Sequence, residues 1–342
     1  MSMLDLSLEP GSGNRYRAFG FRHNPFPQQG KVESIYVPRP ELRELEKSLR
    51  HFLNGQSSAV GMVWALEGSS GYGKSNFLRA VEKALEQRGD PLTASRFLST
   101  ASLSPRMVAE QVVQSIGETR IADLVSRHPE VPEPLRATDF GRVWENAGNV
   151  PPDRVARFLV TWLGGQQTYK ADRAKLDVTS RERLPPAVSL PYLRAMMGML
   201  DEHDVLKRIV ILVDEFEDVA RLKTSDLNEY MFVLKTLLNT FNWRGLYVVL
   251  AGQKDAFNTI SELYPSIATR WTRIALQPIE TTERAVEYAR AYMHAARDES
   301  VRPERDFEPF VREVAGDLFA QREPVSPRDL FRKLHERLEA LL

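Results

Sequence analysis

The sequence predicts an α/β domain built on a parallel five-stranded sheet flanked by helices, followed by a small all-helical domain. Three observations carry this expectation. The apolar runs at residues 60–66, 209–213 and 246–251 are short, and 209–213 is rich in β-branched residues, as buried strands are. Helical patterns separate these runs, an alternation that favours parallel strands joined by helical crossovers. From Glu280 onward only helical patterns remain.

Taken in order, residues 1–35 are irregular and include Asn24-Pro25-Phe26-Pro27. Pro40 opens a helix over 41–53, with Leu42, Leu45, Leu49 and Leu53 at helical spacing. After the first strand come a glycine-rich turn and a helix over 74–87. A second strand is expected at 92–98. Ser104-Pro105 predicts an N-cap with proline at the first helical position, leading a helix to 116. Residues 118–206 are the least regular, because Pro129, Pro132, Pro134, Pro151 and Pro152 break them into short helices. Within them, 164–186 is polar and interrupted, a loop or small subdomain, and a helix follows at 191–203. After the strand at 209–213 come a helix at 227–241 and the strand at 246–251. A fifth strand is expected near 274–276, and its polar neighbours place it at an edge. Helices at 282–296, 307–319 and 327–342 form the tail. The expected boundaries are 1–35, 36–278 with an insertion at about 118–206, and 279–342.

Composition excludes several classes of function. The chain has 342 residues, 42% hydrophobic and 27% charged, enough for a sizeable core. Its 46 basic and 46 acidic residues cancel, so any nucleic-acid surface must be a local patch. There is no cysteine, which removes disulfides, thiolate zinc sites and cysteine nucleophiles. The first 13 residues lack a basic n-region and an apolar h-region, and no apolar run approaches membrane-spanning length. A cytoplasmic location without membrane contact is expected. The six histidines have no metal-ligand spacing.

Gly68-Ser69-Ser70-Gly71-Tyr72-Gly73-Lys74-Ser75 fits the pattern G-x-x-x-x-G-K-S/T. It lies between an apolar strand and a helix, the context that the chemistry requires. Glycines let the backbone curl so that successive N–H groups point at phosphates, and the helix adds its positive end. Lys74 is expected to reach the β- and γ-phosphates and Ser75 to place its hydroxyl on Mg²⁺. Asn76 completes the ATP-binding stretch.

The apolar run that begins at Arg208 ends in Asp214-Glu215. In a parallel sheet that strand end faces the same crevice as the phosphate loop. Asp214 is expected to hold Mg²⁺, and Glu215 to polarise the attacking water. Glu217 and Asp218 read as the solvated start of the next segment.

These residues resemble the AAA+ ATPases, in particular the initiator and helicase-loader branch. Residues 34–42, Ser-Ile-Tyr-Val-Pro-Arg-Pro-Glu-Leu, resemble that branch's segment against the adenine. The resemblance implies that Gln253, after the strand at 246–251, is the first sensor, although a smaller polar residue is more usual there. It implies that the segment 266–273 carries an arginine finger, Arg270 or Arg273, supplied to a neighbour's nucleotide. Arg328, in Ser326-Pro327-Arg328, would be the second sensor, touching the γ-phosphate from the helical lid. Residues 158–165, with Leu176-Asp177-Val178 and Asp214-Glu215-Phe216-Glu217, also look like the ATP-binding domain of BREX phage-exclusion systems. The 140 positions from Lys74 to Asp214 are long for a minimal core and agree with an insertion. Transposon target-selector ATPases share most of these landmarks.

The expected function is therefore a Mg²⁺-dependent ATPase acting as an oligomeric switch, a ring or filament. Its setting would be DNA, with an effector protein as partner, in phage defence or target selection. The alternative is a nucleotide-stabilised scaffold with little turnover that recruits an effector. Lys170, Arg173, Lys175, Arg181 and Arg183 against three acids read as a solvated loop, with a DNA-facing loop as the alternative.

Overall fold

A computed structural model describes residues 15–21, 24–26, 35–56, 62–99, 104, 106–180, 183–240, 245–321 and 324–341. Ser34, Val60, Pro105, Arg181 and Phe241, which figure in the expectations above, lie outside these residues. The chain divides into two compact units. One comprises Pro40–Ser69 and Val81–Leu276. The other comprises the described residues of Met1–Arg39, Ser70–Ala80 and Gln277–Leu342.

The larger unit is built on a five-stranded sheet in the order β2-β3-β4-β1-β5. The strands are β1 (Met62–Glu67), β2 (Thr93–Leu98), β3 (Arg208–Val213), β4 (Leu246–Gly252) and β5 (Trp271–Ala275), and every pairing is parallel. β3 and β4 are buried along almost their whole length, which is why they read as continuous apolar runs. β5 is an edge strand, as its polar residues imply, and starts three residues earlier than expected, at Trp271. Trp271 is buried and anchors the strand among Phe216 and Phe257.

The helices around this sheet follow in chain order. They are α1 (Arg43–Leu53), α2 (Lys74–Arg88), α3 (Met107–Ile116), α4 (Glu118–Ser126), α5 (Glu133–Arg136), α6 (Asp139–Asn146) and α7 (Pro152–Leu163). Then come α8 (Lys170–Lys175), α9 (Pro186–Glu202), α10 (Glu217–Ala220), α11 (Thr224–Thr240), α12 (Lys254–Leu263) and α13 (Pro265–Ala268). The helix after Ser104 starts later than expected, with Arg106 at its cap position. The Ser104 hydroxyl instead accepts the Arg106 N–H at 3.2 Å, forming a turn before the helix. α9 starts at Pro186, five residues before the expected Pro191, which sits inside it. Pro191 forgoes one hydrogen bond, and a buried face of Leu190, Leu193, Met196, Met197 and Leu200 holds the helix regardless.

The stretch 118–206 belongs to the sheet's own core. Phe140, Val143, Phe158, Leu159, Trp162 and Leu193 join Ile209, Ile211, Val213, Val248 and Leu250 in one buried cluster. α4 packs along α7, and α7 on α9. Phe158, Trp162 and Leu163, among the residues that carry the narrower resemblance, are packing residues.

The smaller unit is helical, with α14 (Thr282–Ala296), α15 (Glu308–Gln321) and α16 (Pro327–Ala340) packed on one another. Phe19, Phe21 and Phe26 are buried in its core with Tyr292, Phe307 and Phe331. Rings of Phe26 and Tyr292 stack at 5.8 Å, and the Tyr292 hydroxyl donates to the Pro25 carbonyl at 2.9 Å. The phenylalanines hold residues 15–21 and 24–26 in that core without helical periodicity: each buries a large apolar area at fixed geometry.

Candidate functional site

The parallel register brings three strand ends to one edge of the sheet. Glu67 lies level with Gly252, and Val213 with Leu250. Gly68 therefore leaves β1 beside the end of β4, and its N–H donates to the Gly252 carbonyl at 3.2 Å. Asp214 and Glu215 follow β3 at the same edge. Gln253 follows β4.

The acidic strand end has a specific backbone conformation. Glu215 adopts φ +53, a left-handed conformation uncommon for a residue with a Cβ. Four hydrogen bonds hold it. The Asp214 N–H donates to the Leu98 carbonyl at 2.9 Å, and the Glu215 N–H to Asp214 Oδ1 at 3.0 Å. The Phe216 N–H donates to the Ala251 carbonyl at 2.8 Å, and the Asp218 N–H to the Glu215 carbonyl at 3.0 Å. Phe216 is fully buried and stacks on Phe257 at 5.0 Å. The result is a buried Asp214 carboxylate followed by an exposed Glu215. Behind Phe216, burial pushes the Tyr230 hydroxyl above its usual titration range, so it is neutral.

Glu217 also has a structural part. Its Oε2 accepts the Gln253 N–H at 3.1 Å, bridging the ends of β3 and β4. A Cβ on Gly252 would stand 3.0 Å from that oxygen and 3.1 Å from the Phe216 Cβ, so glycine makes room for the bridge. Glu217 is thus more than the solvated start of a segment.

The second half of the glycine-rich loop lies in the smaller unit with Arg328. Gly71 has φ +85 and Gly73 φ +96, the conformations expected of a curled loop. No heavy atom lies within 4 Å of the place where a Cβ on Gly73 would stand. This open space, next to the N-terminus of the 15-residue α2, is compatible with an anionic group. Lys74 is 8% exposed, and Ser75 and Asn76 are half-buried. Arg328 donates from Nη1 to the Ser70 hydroxyl at 3.1 Å, and its N–H meets the Gly71 carbonyl at 3.3 Å. The N-cap of α16 fixes that approach, since Ser326 Oγ accepts the Asp329 N–H at 3.0 Å.

Two further residues brace the loop. Arg39, 9% exposed, donates to the Tyr72 carbonyl at 2.7 Å and to the Gln277 carbonyl at 2.5 Å. Asn76 Nδ2 donates to the Ile35 carbonyl at 3.0 Å. Residues 35–39 are thereby strapped along the loop. Sequence reasoning placed Arg39 only within the segment 34–42 likened to the one against the adenine and gave it no contact of its own.

The two arginines of the expected finger segment differ. Arg273 lies beside Ala65 in the β5–β1 register, and its Nε is ion-paired with Glu67. Its Nη2 donates to Asn258 Oδ1 on α12 at 2.8 Å. Arg270, before β5, is exposed, and its Nε donates to the Ser266 carbonyl one turn back at 3.3 Å.

ATP and Mg²⁺ match the donors present. Mg²⁺ usually takes one or two protein oxygens together with phosphate oxygens and waters, and a serine hydroxyl such as that of Ser75 and a carboxylate such as that of Asp214 are oxygen donors of that kind. A Cβ on Gly73 would meet open space, so no side chain of the described residues fills that side of the loop.

No family model matches the sequence, and no curated protein matches it. Solved structures do resemble it. The Aeropyrum pernix ORC1 protein, solved in complex with DNA, aligns at TM-score 0.50 and 15% identity, over 96% of this chain and 65% of that one. Drosophila ORC bound to DNA aligns at 0.47 and 16%, over 99% and 65%. The Aeropyrum pernix ORC2 protein aligns at 0.46 and 14%, over 93% and 72%. The chain thus spans just under two thirds of the ORC1 protein's length. The ORC1 likeness shows a shared fold: a five-stranded parallel sheet with a C-terminal helical domain.

Proposed function

We propose that this chain is a Mg²⁺-dependent AAA+ ATPase that works as a nucleotide-driven oligomeric switch on DNA. The observation that carries the reading is the loop 68–75. It is curled at two positive-φ glycines, open at Gly73, and touched at Ser70 by Arg328. The loop amides and Lys74 hold the β- and γ-phosphates, with Gly68, Ser69, Ser70, Gly71, Tyr72 and Asn76 shaping the cradle. Ser75 and Asp214 hold Mg²⁺, which supplies charge neutralisation on phosphate oxygens when bound. Glu215 polarises the attacking water, Gln253 orients it, and Arg328 senses the γ-phosphate from the helical domain.

Oligomerisation is part of the proposal through Arg270, whose exposure is compatible with its use on a neighbour's nucleotide. DNA as the setting is supported by the ORC1 likeness, a protein solved with DNA. A cytoplasmic role in phage defence or mobile-element target selection, through an effector protein, rests on the sequence resemblance. No described helix is long and apolar enough to cross a membrane.

The test is steady-state ATP hydrolysis by the wild-type chain and by Glu215→Gln, each with and without duplex DNA. The proposal expects turnover in the wild type and its loss in the variant. ATP-dependent assembly with no turnover under any condition would replace the ATPase with a nucleotide-stabilised scaffold.

A further inference from the structure

Glu67 occupies an electrostatically awkward place. It is 4% exposed, at the last position of β1, and the next residue is Gly68, the first of the phosphate loop. A buried carboxylate there repels the polyanion that the loop is proposed to hold, and desolvation strengthens the repulsion. Such a charge needs a fixed counter-ion.

Arg273 supplies it through the sheet. In the β5–β1 register Arg273 stands opposite Ala65, and Ala275 opposite Glu67. Alternation puts Arg273 and Glu67 on one face, as diagonal neighbours on adjacent strands. Arg273 Nε meets Glu67 Oε1, and Nη2 is fixed by Asn258 at 2.8 Å, so α12 holds the far end of the guanidinium. The Leu276 N–H donates to the Glu67 carbonyl at 2.8 Å, extending the tie between β5 and the end of β1. The Arg273 side chain is 34% exposed, whereas Glu67 is enclosed, so the arginine brings the charge balance inward from the surface.

We infer that Arg273 acts within its own chain as a positioning residue for nucleotide binding: it neutralises Glu67 and so keeps the loop receptive to a triphosphate. This rests on the ATP-binding reading of the loop. It separates Arg273 from Arg270 by role, since a guanidinium held by Glu67 and Asn258 is committed inside its own chain.

The experiment is titration of the purified chain with a fluorescent ATP analogue and Mg²⁺. It compares the wild type, Arg273→Ala, Glu67→Gln and the double variant, with circular dichroism to verify folding. Arg273→Ala is expected to weaken binding at least tenfold, and the double variant to recover to within about threefold of wild type. Glu67→Gln alone leaves the arginine charge uncompensated and is expected to bind at least as tightly as wild type, with a steeper loss of affinity as salt rises. A merely structural ion pair would not give that salt dependence. Should Arg273→Ala fail to fold, Glu67→Gln decides. Weaker binding by Glu67→Gln, or wild-type affinity in a folded Arg273→Ala, overturns the inference while leaving the ATP site standing. A wild-type chain that binds no nucleotide overturns both.

Discussion

Arg328 and Gly71 approach so closely that a methyl group on Gly71 would lie 2.9 Å from the Arg328 Cβ. The glycine also has φ +85, so two independent constraints act on one position. Gly71→Ala is expected to lower the unfolding free energy by about 1–3 kcal/mol through backbone strain alone, and to displace Arg328 from Ser70. Gly198→Ala has the opposite sign. Gly198 lies inside α9 with open space at its Cβ, and the substitution is expected to stabilise by about 0.5–1 kcal/mol. Chemical denaturation of the two variants side by side checks both signs.

Glu215 combines a left-handed backbone with the position expected of the catalytic carboxylate. Glu215→Gly relieves the conformation and is expected to gain about 1 kcal/mol of stability while losing turnover. Glu215→Gln keeps the strain and the nucleotide affinity and loses at least about 100-fold in kcat. Thermal unfolding together with ATPase rates separates the two effects.

Arg270 and Arg273 are expected to part company in kinetics. Arg270→Ala, if the arginine serves a neighbouring subunit, lowers kcat by roughly 10³ with ATP binding retained. Mixing it with Glu215→Gln chains should restore part of the rate, because each supplies what the other lacks. Absence of complementation in an assembled mixture would remove Arg270 from that role.

Asp139 orders the segment after α8. Its carboxylate accepts from the Thr179 N–H at 3.2 Å, the Thr179 hydroxyl at 3.0 Å and the Ser180 N–H at 2.7 Å. Burial pushes its pKa up, but the bonds from Thr179 and Ser180 outweigh that and hold it below the usual carboxylate value. A depressed folded value means that the stabilisation is present above the unfolded value of about 3.9 and is lost as pH falls through the folded one. Limited proteolysis should therefore open residues 177–180 in acid, below about pH 4, and at neutral pH in Asp139→Asn.

Strands β3 and β4 were legible because they are buried on both faces, so their sequences are unbroken apolar runs. The glycine-rich loop 68–75 stands out in the sequence because the phosphate chemistry proposed for it demands fixed residues at fixed spacing. The stretch 118–206 was less so. Its prolines signalled interruptions, but the pattern of Phe140, Phe158 and Trp162 did not say that these short helices share the sheet's core. Phe19, Phe21 and Phe26 follow no period, and only partners some 280 residues later, such as Phe307, explain their burial. The roles of Glu67, Arg39 and Glu217 depend on strand register and loop conformation. A one-residue slip of β5 would turn Arg273 to the other face, and no local pattern fixes that register.

The most direct measurement is isothermal titration of the wild-type chain and of Lys74→Ala with a slowly hydrolysed ATP analogue and Mg²⁺. The account predicts one site per chain in the wild type and an affinity reduced at least 100-fold in Lys74→Ala, with unfolding otherwise alike. A wild-type chain that takes up no adenine nucleotide, or a Lys74→Ala chain that binds as well as wild type, would contradict it.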